Sequence, residues 1–312
     1  MILLLLLSGC GGGASPDAPA ETPAQETADQ TAPPADPEED DRPVYESDGF
    51  REAVFHADLA EGNDDGVLLD ISAVSEGYVA VSGQSESRLK FQVICGEETY
   101  TYDLRGDGEP MIFPLSCGSG DYQFRVMENV SESKYAEVYA ATCAVTLADE
   151  FQPFLRPSAY VSYGENSEST RMAADFAAQS HSALELVGAV YDYICENVTY
   201  DVEKAATVQS GYLPQPDDTL RTGKGICFDY AALAAAMLRS QGIPTKMIFG
   251  YVSPDDVYHA WNMFYTEETG WVTAEFEISR SGWNRIDLTF AASGADNGFI
   301  GDGSNYADLY TY

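Results

Sequence analysis

Positive charge is what this chain of 312 residues has least of: 16 Lys and Arg stand against 51 Asp and Glu, a formal net charge of −35. That scarcity excludes nucleic acid as a partner and docking on an anionic lipid surface through basic residues. Long apolar runs are also lacking; beyond Leu7 no segment is long and apolar enough to span a bilayer. No cofactor motif appears. Asp296, Asn297, Asp302, Gly303, Asn305 and Asp308 offer ligand types for calcium but have no recognised loop spacing, so they read as turn-rich surface. The expectation is a protein with neither cofactor nor metal. Apolar residues are not short: at 45% hydrophobic and 12% aromatic the chain can bury two ordinary cores.

Ile2 to Leu7 is a continuous apolar run that ends in Ser8, Gly9 and Cys10, the pattern of a secretory signal. Leu7-Ser8-Gly9-Cys10 resembles the lipobox of bacterial lipoproteins, which implies cleavage before Cys10, lipidation of its thiol and two acyl chains for stable anchoring. Residues 1–10 are therefore expected to be a lipoprotein signal, and the localisation extracytoplasmic, with the membrane touched through the lipid anchor only. From Gly11 to about Asp48 large apolar residues are almost absent, and eleven carboxylates face Arg42 alone. Such a segment cannot offset its ordering entropy and repels itself, so 11–48 reads as an extended acidic tether.

Residues 49–156 read as a small all-β sandwich. Alternating or β-rich runs at 67–71, 78–81, 89–93, 100–102, 122–126 and 138–147 are separated by Gly and Ser turns. This half shows no constellation of catalytic residue types. Its Cys95, Cys117 and Cys143 allow one disulfide with one thiol left over, or three reduced core thiols.

After Pro157 the apolar period changes. Residues 172–180 and 183–197 carry helical stripes, Leu184, Val187, Tyr191 and Ile194 forming the second, and Cys195 reads as packing. A loop with Pro214 and Pro216 leads to Gly223-Lys224-Gly225-Ile226-Cys227-Phe228-Asp229-Tyr230 and an alanine-rich helix that ends at Gly242-Ile243-Pro244. Cys227 falls in the first turn. There the unpaired N–H groups and the macrodipole favour a thiolate and can receive an oxyanion. Taken alone, a free cysteine is more often a small core residue. His259 follows 32 residues later in a strand-like run, Tyr258-His259-Ala260-Trp261, and a cysteine nucleophile needs such a base.

The two segments together, Gly225-x-Cys227 with Gly242-Ile243-Pro244 and His259-Ala260-Trp261, resemble the transglutaminase-like superfamily over about 183–290. The resemblance implies a papain-like α+β core, with the Cys at a helix N-terminus packed on an antiparallel sheet. It also implies a Cys-His-Asp triad and a thioester intermediate resolved by water or an amine. For the third member, Asp287 in Trp283-Asn284-Arg285-Ile286-Asp287-Leu288-Thr289 matches the family's aspartate followed by threonine; Glu275, four residues after Trp271, is the alternative. Asp287 requires that 271–282 be an excursion leaving its strand beside the histidine strand, since an intervening strand would add about 10 Å. Arg221 lies where a papain-like enzyme places an oxyanion donor. The expected catalytic domain is 157–312. The expected function is surface-anchored cysteine acyl transfer or hydrolysis on a protein or peptide partner, such as a wall peptide or surface protein. The rival is a catalytically silent binding module on the same fold.

Overall fold

The computed structural model describes residues 41–252, 257–278, 284–289 and 306–312, with backbone alone at 252, 257, 275–278, 284–289 and 306–309. The lipobox with Cys10, nearly all of the acidic tether and the Asp/Gly cluster at 296–305 lie outside the described residues.

Period-two patterning builds the first half. Eight antiparallel strands follow one another: β1 (Glu61–Gly62), β2 (Val67–Asp70), β3 (Tyr78–Gly83), β4 (Leu89–Cys95), β5 (Glu98–Leu104), β6 (Met111–Pro114), β7 (Gly120–Ser131) and β8 (Lys134–Val145). They form two sheets, β1-β2-β3-β6 and β5-β4-β7-β8. Leu89, Phe91 and Val93 of β4 and Tyr122, Phe124 and Val126 of β7 are the alternate residues turned inward. Phe91 meets Phe113 of the opposite sheet at 4.8 Å between ring centroids, so the two sheets close over a shared aromatic core. The short β6 is missing from the sequence expectation because Met111–Pro114 offers too few residues to show a period. Cys95, Cys117 and Cys143 are free thiols.

Helices α1 (Glu168–Ala177) and α2 (Ala183–Asn197) follow, then β9 (Thr199–Tyr200), α3 (Val202–Thr207), α4 (Pro216–Thr222), β10 (Lys224–Gly225) and α5 (Cys227–Ser240). Where the sequence suggests a loop around Pro214 and Pro216, the chain forms α4. Pro216 sits at its first helical position, where a missing N–H costs nothing. The remaining strands are β11 (Thr245–Val252), β12 (Val257–Thr266), β13 (Gly270–Ile278), β14 (Asn284–Thr289) and β15 (Tyr306–Thr311). They pair antiparallel in the order β14-β13-β12-β11-β15.

Helix α5 is the centre of this half, buried on every side from Asp229 to Ser240. Ala231, Ala232, Ala235 and Ala236 form one stripe, joined to Met247, Phe249, Ala260 and the sandwich interior in one apolar cluster. The larger stripe, Tyr230, Leu233, Met237 and Leu238, packs with α1, α2 and Phe264 of β12 in a second cluster. Alanine on one side permits close approach, while each buried Leu or Met on the other adds about 2 kcal/mol. A helix apolar all round is a core helix, and this one carries Cys227 at its only open end.

Candidate active site

The start of α5 is set by short-range backbone geometry. Gly223 ends α4 in the left-handed region at φ 60°, and Lys224–Gly225 then pairs in parallel with Thr199–Tyr200. Ile226 is extended and Cys227 opens the helix. Gly225 lacks a side chain for want of space: a Cβ there would lie 2.6 Å from Cβ of Asp229.

Asp229 occupies the third helical position and is fully buried. Its Oδ2 accepts the Ile226 N–H at 2.8 Å and the Lys204 ammonium at 2.6 Å; its Oδ1 accepts the Tyr212 hydroxyl at 2.5 Å. Lys204 also donates to the Tyr212 oxygen at 2.7 Å. The carboxylate complements the positive end of the helix and is compensated by a cation and two further donors, as a buried charge must be. Burial first, and Asp229 second, push the Tyr212 phenol well above its ordinary value, so it stays a donor. Nothing in the sequence singles out Lys204 or Tyr212 for this role; the one legible cue is an acid three positions after a helix start.

The strand carrying His259 packs against the same helix. Buried Asn262 of β12 donates to the Ala231 carbonyl of α5 at 3.1 Å and accepts from Tyr191 of α2 at 3.1 Å. Those bonds fix the strand one turn along from Cys227. His259 itself is half-buried and lies opposite Gly250 of β11. Its neighbour Tyr258 lies over Phe249 with centroids 6.1 Å apart. The Tyr258 phenol is raised by burial foremost, then by Tyr310, Tyr251 and Cys227. The fold thus gathers the half-buried Cys227 and the start of β12 at one end of α5.

The third position is arranged differently. Asp287 lies on β14, in register with Glu275 of β13, and β13 stands between β14 and β12. The excursion that would bring the Asp287 strand beside His259 is not formed, because 270–278 is a regular member of the sheet. Glu275 is on the strand next to β12, one position beyond Ala274, which pairs with Asn262. The side chains of both acids lie outside the described residues. Arg221 is exposed on α4 and its guanidinium is taken up by Asp218 at 2.7 Å.

A cleft of about 340 Å³ is bordered by Ile226 and Phe228, the chain neighbours of Cys227, and by the 208–213 segment that Tyr212 anchors. Among the described residues no group of three or more His, Cys, Asp or Glu side chains could hold a metal ion. No helix among them is long and apolar enough to cross a membrane.

Residues 170–276 match the transglutaminase-like superfamily. This segment belongs to that superfamily. The match takes in Cys227, His259 and Glu275 and stops short of Asp287. Kyphoscoliosis peptidase of Mus musculus is 35% identical over 106 residues, 31% of this chain and 16% of that protein. Uncharacterized protein YebA of Bacillus subtilis is 29% identical over 205 residues, 59% of this chain and 27% of that protein. The chain therefore spans well under a third of either relative. A candidate cysteine protease from Cytophaga hutchinsonii superposes over 74% of this chain and 80% of its own, at 18% identity and a TM-score of 0.38. Red sea bream transglutaminase covers 67% and 49%, at 14% identity and a TM-score of 0.32. The transglutaminase-like core here is a papain-like α+β unit, α5 on an antiparallel sheet, preceded by the all-β sandwich.

Proposed function

We propose that this chain is a cysteine acyl-transfer enzyme acting on peptide or protein amides. The observation that carries the reading is the seat of Cys227 in the first turn of α5, with the strand of His259 held on the same helix, inside the superfamily segment. Cys227 sulfur attacks the amide carbon, and His259 takes the thiol proton and passes it to the departing amine. The helix N–H groups stabilise the oxyanion. The resulting thioester is resolved by water, giving hydrolysis, or by an amine, giving a new amide.

The orienting carboxylate is Asp287 by its Trp-to-Asp-to-Thr motif and Glu275 by strand order. Adjacency to β12 supports Glu275. Glu275→Gln is expected to reduce kcat by about a thousandfold or more, the scale of a lost triad acid, while Asp287→Asn stays within a few-fold. The reverse pattern returns the role to Asp287. We further propose that Cys10 anchors the protein outside the cytoplasm, where wall peptides and surface proteins are the substrates at hand. Palmitate labelling that persists in Cys10→Ala would sink that part.

The central test is intact-mass spectrometry with a limiting peptide electrophile on wild type and His259→Ala. Cys195 is the internal reference: burial foremost, then Asp192 and Glu196, push its thiol up to about 12. At pH 8 it is ionised to only about one part in ten thousand. One adduct on Cys227, lost with His259→Ala, supports the pair. Equal or absent labelling in two folded proteins leaves the binding module as the better reading.

A further inference from the structure

We infer that the cleft bordered by Ile226 and Phe228 is an acyl-donor subsite for an aromatic side chain, an inference that rests on the acyl-transfer reading above. Six rings border it: Tyr160, Tyr212, Phe228, Phe249, Tyr258 and Tyr312. Tyr258 stacks on Phe249, and the other rings are already set edge to face. Phe228 and Phe249 lie 4.9 Å apart at 81°, Tyr160 and Phe228 5.3 Å at 87°, and Phe249 and Tyr312 5.5 Å at 81°. Such an array offers ring faces and edges to a further ring and loses little freedom on accepting one.

Two features mark the occupant as aromatic and not charged. Among the described residues the only charged side chain bordering the cleft is Asp103, which is already met by Lys90 at 2.6 Å and Arg88 at 3.2 Å. An acidic side chain finds no free cation there, and the net charge of −35 repels it in any case. The volume, about 340 Å³, is at the small end of ligand pockets and takes one large side chain with its backbone.

Position ties the cleft to the chemistry. Cys227 and His259 do not themselves line the cleft, but Ile226 and Phe228 flank Cys227 in the chain and Tyr258 precedes His259, so a ring held here belongs to a residue near the attacked carbonyl. Tyr258 is 53% exposed, and its outer face meets solvent at the mouth. The far wall is rigid because Tyr212 is fixed by Asp229 and Lys204.

The test uses N-acetyl dipeptide chloromethyl ketones carrying Tyr, Ala, Lys or Asp at either position, with Cys227 labelling rates read by mass spectrometry. At one of the two positions Tyr is expected to react about tenfold or more faster than Ala, the factor that burying a ring in place of a methyl supplies. Asp is expected to be slowest. Tyr258→Ala should bring the Tyr-to-Ala ratio to near one and Tyr258→Phe should retain it, with circular dichroism verifying both folds. Equal rates for Tyr and Ala at both positions overturn the subsite and leave the nucleophile standing. If no reagent labels Cys227, the acyl-transfer reading falls, and NMR titration of N-acetyl-tyrosinamide against N-acetyl-alaninamide decides the cleft. Shifts at the cleft rings with the tyrosine compound only, lost in Tyr258→Ala, keep it as a binding site; no preference overturns it.

Discussion

The two ends of α5 each bury a charge, and they do so by opposite means. At the start, Asp229 is met by an ammonium, a phenol and an N–H. At the finish, the partners of fully buried Arg239 among the described residues are backbone oxygens: Thr245 at 2.8 Å, Arg156 at 3.0 Å and Tyr312 at 3.1 Å. Each charge suits the helix end it occupies. The finish ties together β11, the segment leaving the sandwich and the strand end beside β11, and offers no access. The start leaves one face open, toward a cleft and a thiol. A single helix thus has an anchoring end and a working end, and neutralising Asp229 locally lets a carboxylate sit two residues from Cys227 without facing it.

That contrast disappears at high pH, where both ends share a weakness. Tyr102, Tyr122 and Tyr191 are almost wholly buried, and burial foremost raises their phenols above the ordinary value. Tyr163 near Arg239 and Tyr212 near Asp229 are raised in the same way. The unfolded chain releases these protons near pH 10 while the fold keeps them. Their contribution is therefore complete below pH 10 and is lost as pH rises above it. At pH 11 each fully retained phenol costs about 1.4 kcal/mol, about 4 kcal/mol for Tyr102, Tyr122 and Tyr191 together. The expected result is cooperative unfolding by pH 11, with the share of tyrosinate absorbance beyond that of the exposed tyrosines rising in the same transition as loss of circular dichroism. Absorbance that reaches its full value for all 20 tyrosines before unfolding would show those hydroxyls to be accessible.

Breaking the anchoring end comes next in size. Arg239→Met keeps the volume but strands the Thr245 and Arg156 carbonyls, while the Tyr312 oxygen keeps the Met247 N–H at 2.7 Å, for an expected loss of about 3 kcal/mol in urea unfolding. Burial pulls the guanidinium down to about 10, so part of that loss is returned when the charge is removed. A loss under about 1 kcal/mol would mean the tether is replaceable by packing.

Much of this division was legible beforehand, and its limits are physical. The helix over 183–197, the strands at 89–93 and 122–126 and the seat of Cys227 all follow from local period and capping, which act over a few residues. The superfamily follows from two short motifs. Lys204 and Tyr212 were invisible because their partner Asp229 is 25 and 17 residues away, and nothing periodic links them. Arg239 reads in the sequence as an ordinary last-turn cation. The candidate third position divided motif from geometry: sheet order decides which acid neighbours β12, and sheet order is set by long-range pairing.

Breaking the working end has a smaller effect on stability and a larger one on chemistry. Asp229→Ala removes the acceptor of three donors at once. Lys204 is 30% exposed and can turn to water, and Tyr212 keeps the lysine. The expected loss is about 2 kcal/mol, with Cys227 labelling slowed severalfold as the helix start and the 208–213 wall loosen. Arg239→Met, by contrast, should leave the labelling rate of the remaining folded protein unchanged. Equal slowing by the two substitutions would erase the distinction between the ends.

The finest cut is Tyr212→Phe. The ring stays in the cleft wall beside Phe228 at 6.2 Å, and Lys204 still reaches Asp229 directly at 2.6 Å. Only a hydroxyl that donates to one and accepts from the other is lost, so stability should fall by about 1 kcal/mol. If the hydroxyl serves to hold the wall, the labelling advantage of the tyrosyl over the alanyl reagent shrinks while the alanyl rate holds, because the wall's order matters only to a ligand that fills the cleft. If instead both rates fall together, the hydroxyl acts on the helix start and on Cys227 itself. The working end would then be a single unit running from Lys204 to the thiol, with no separable wall.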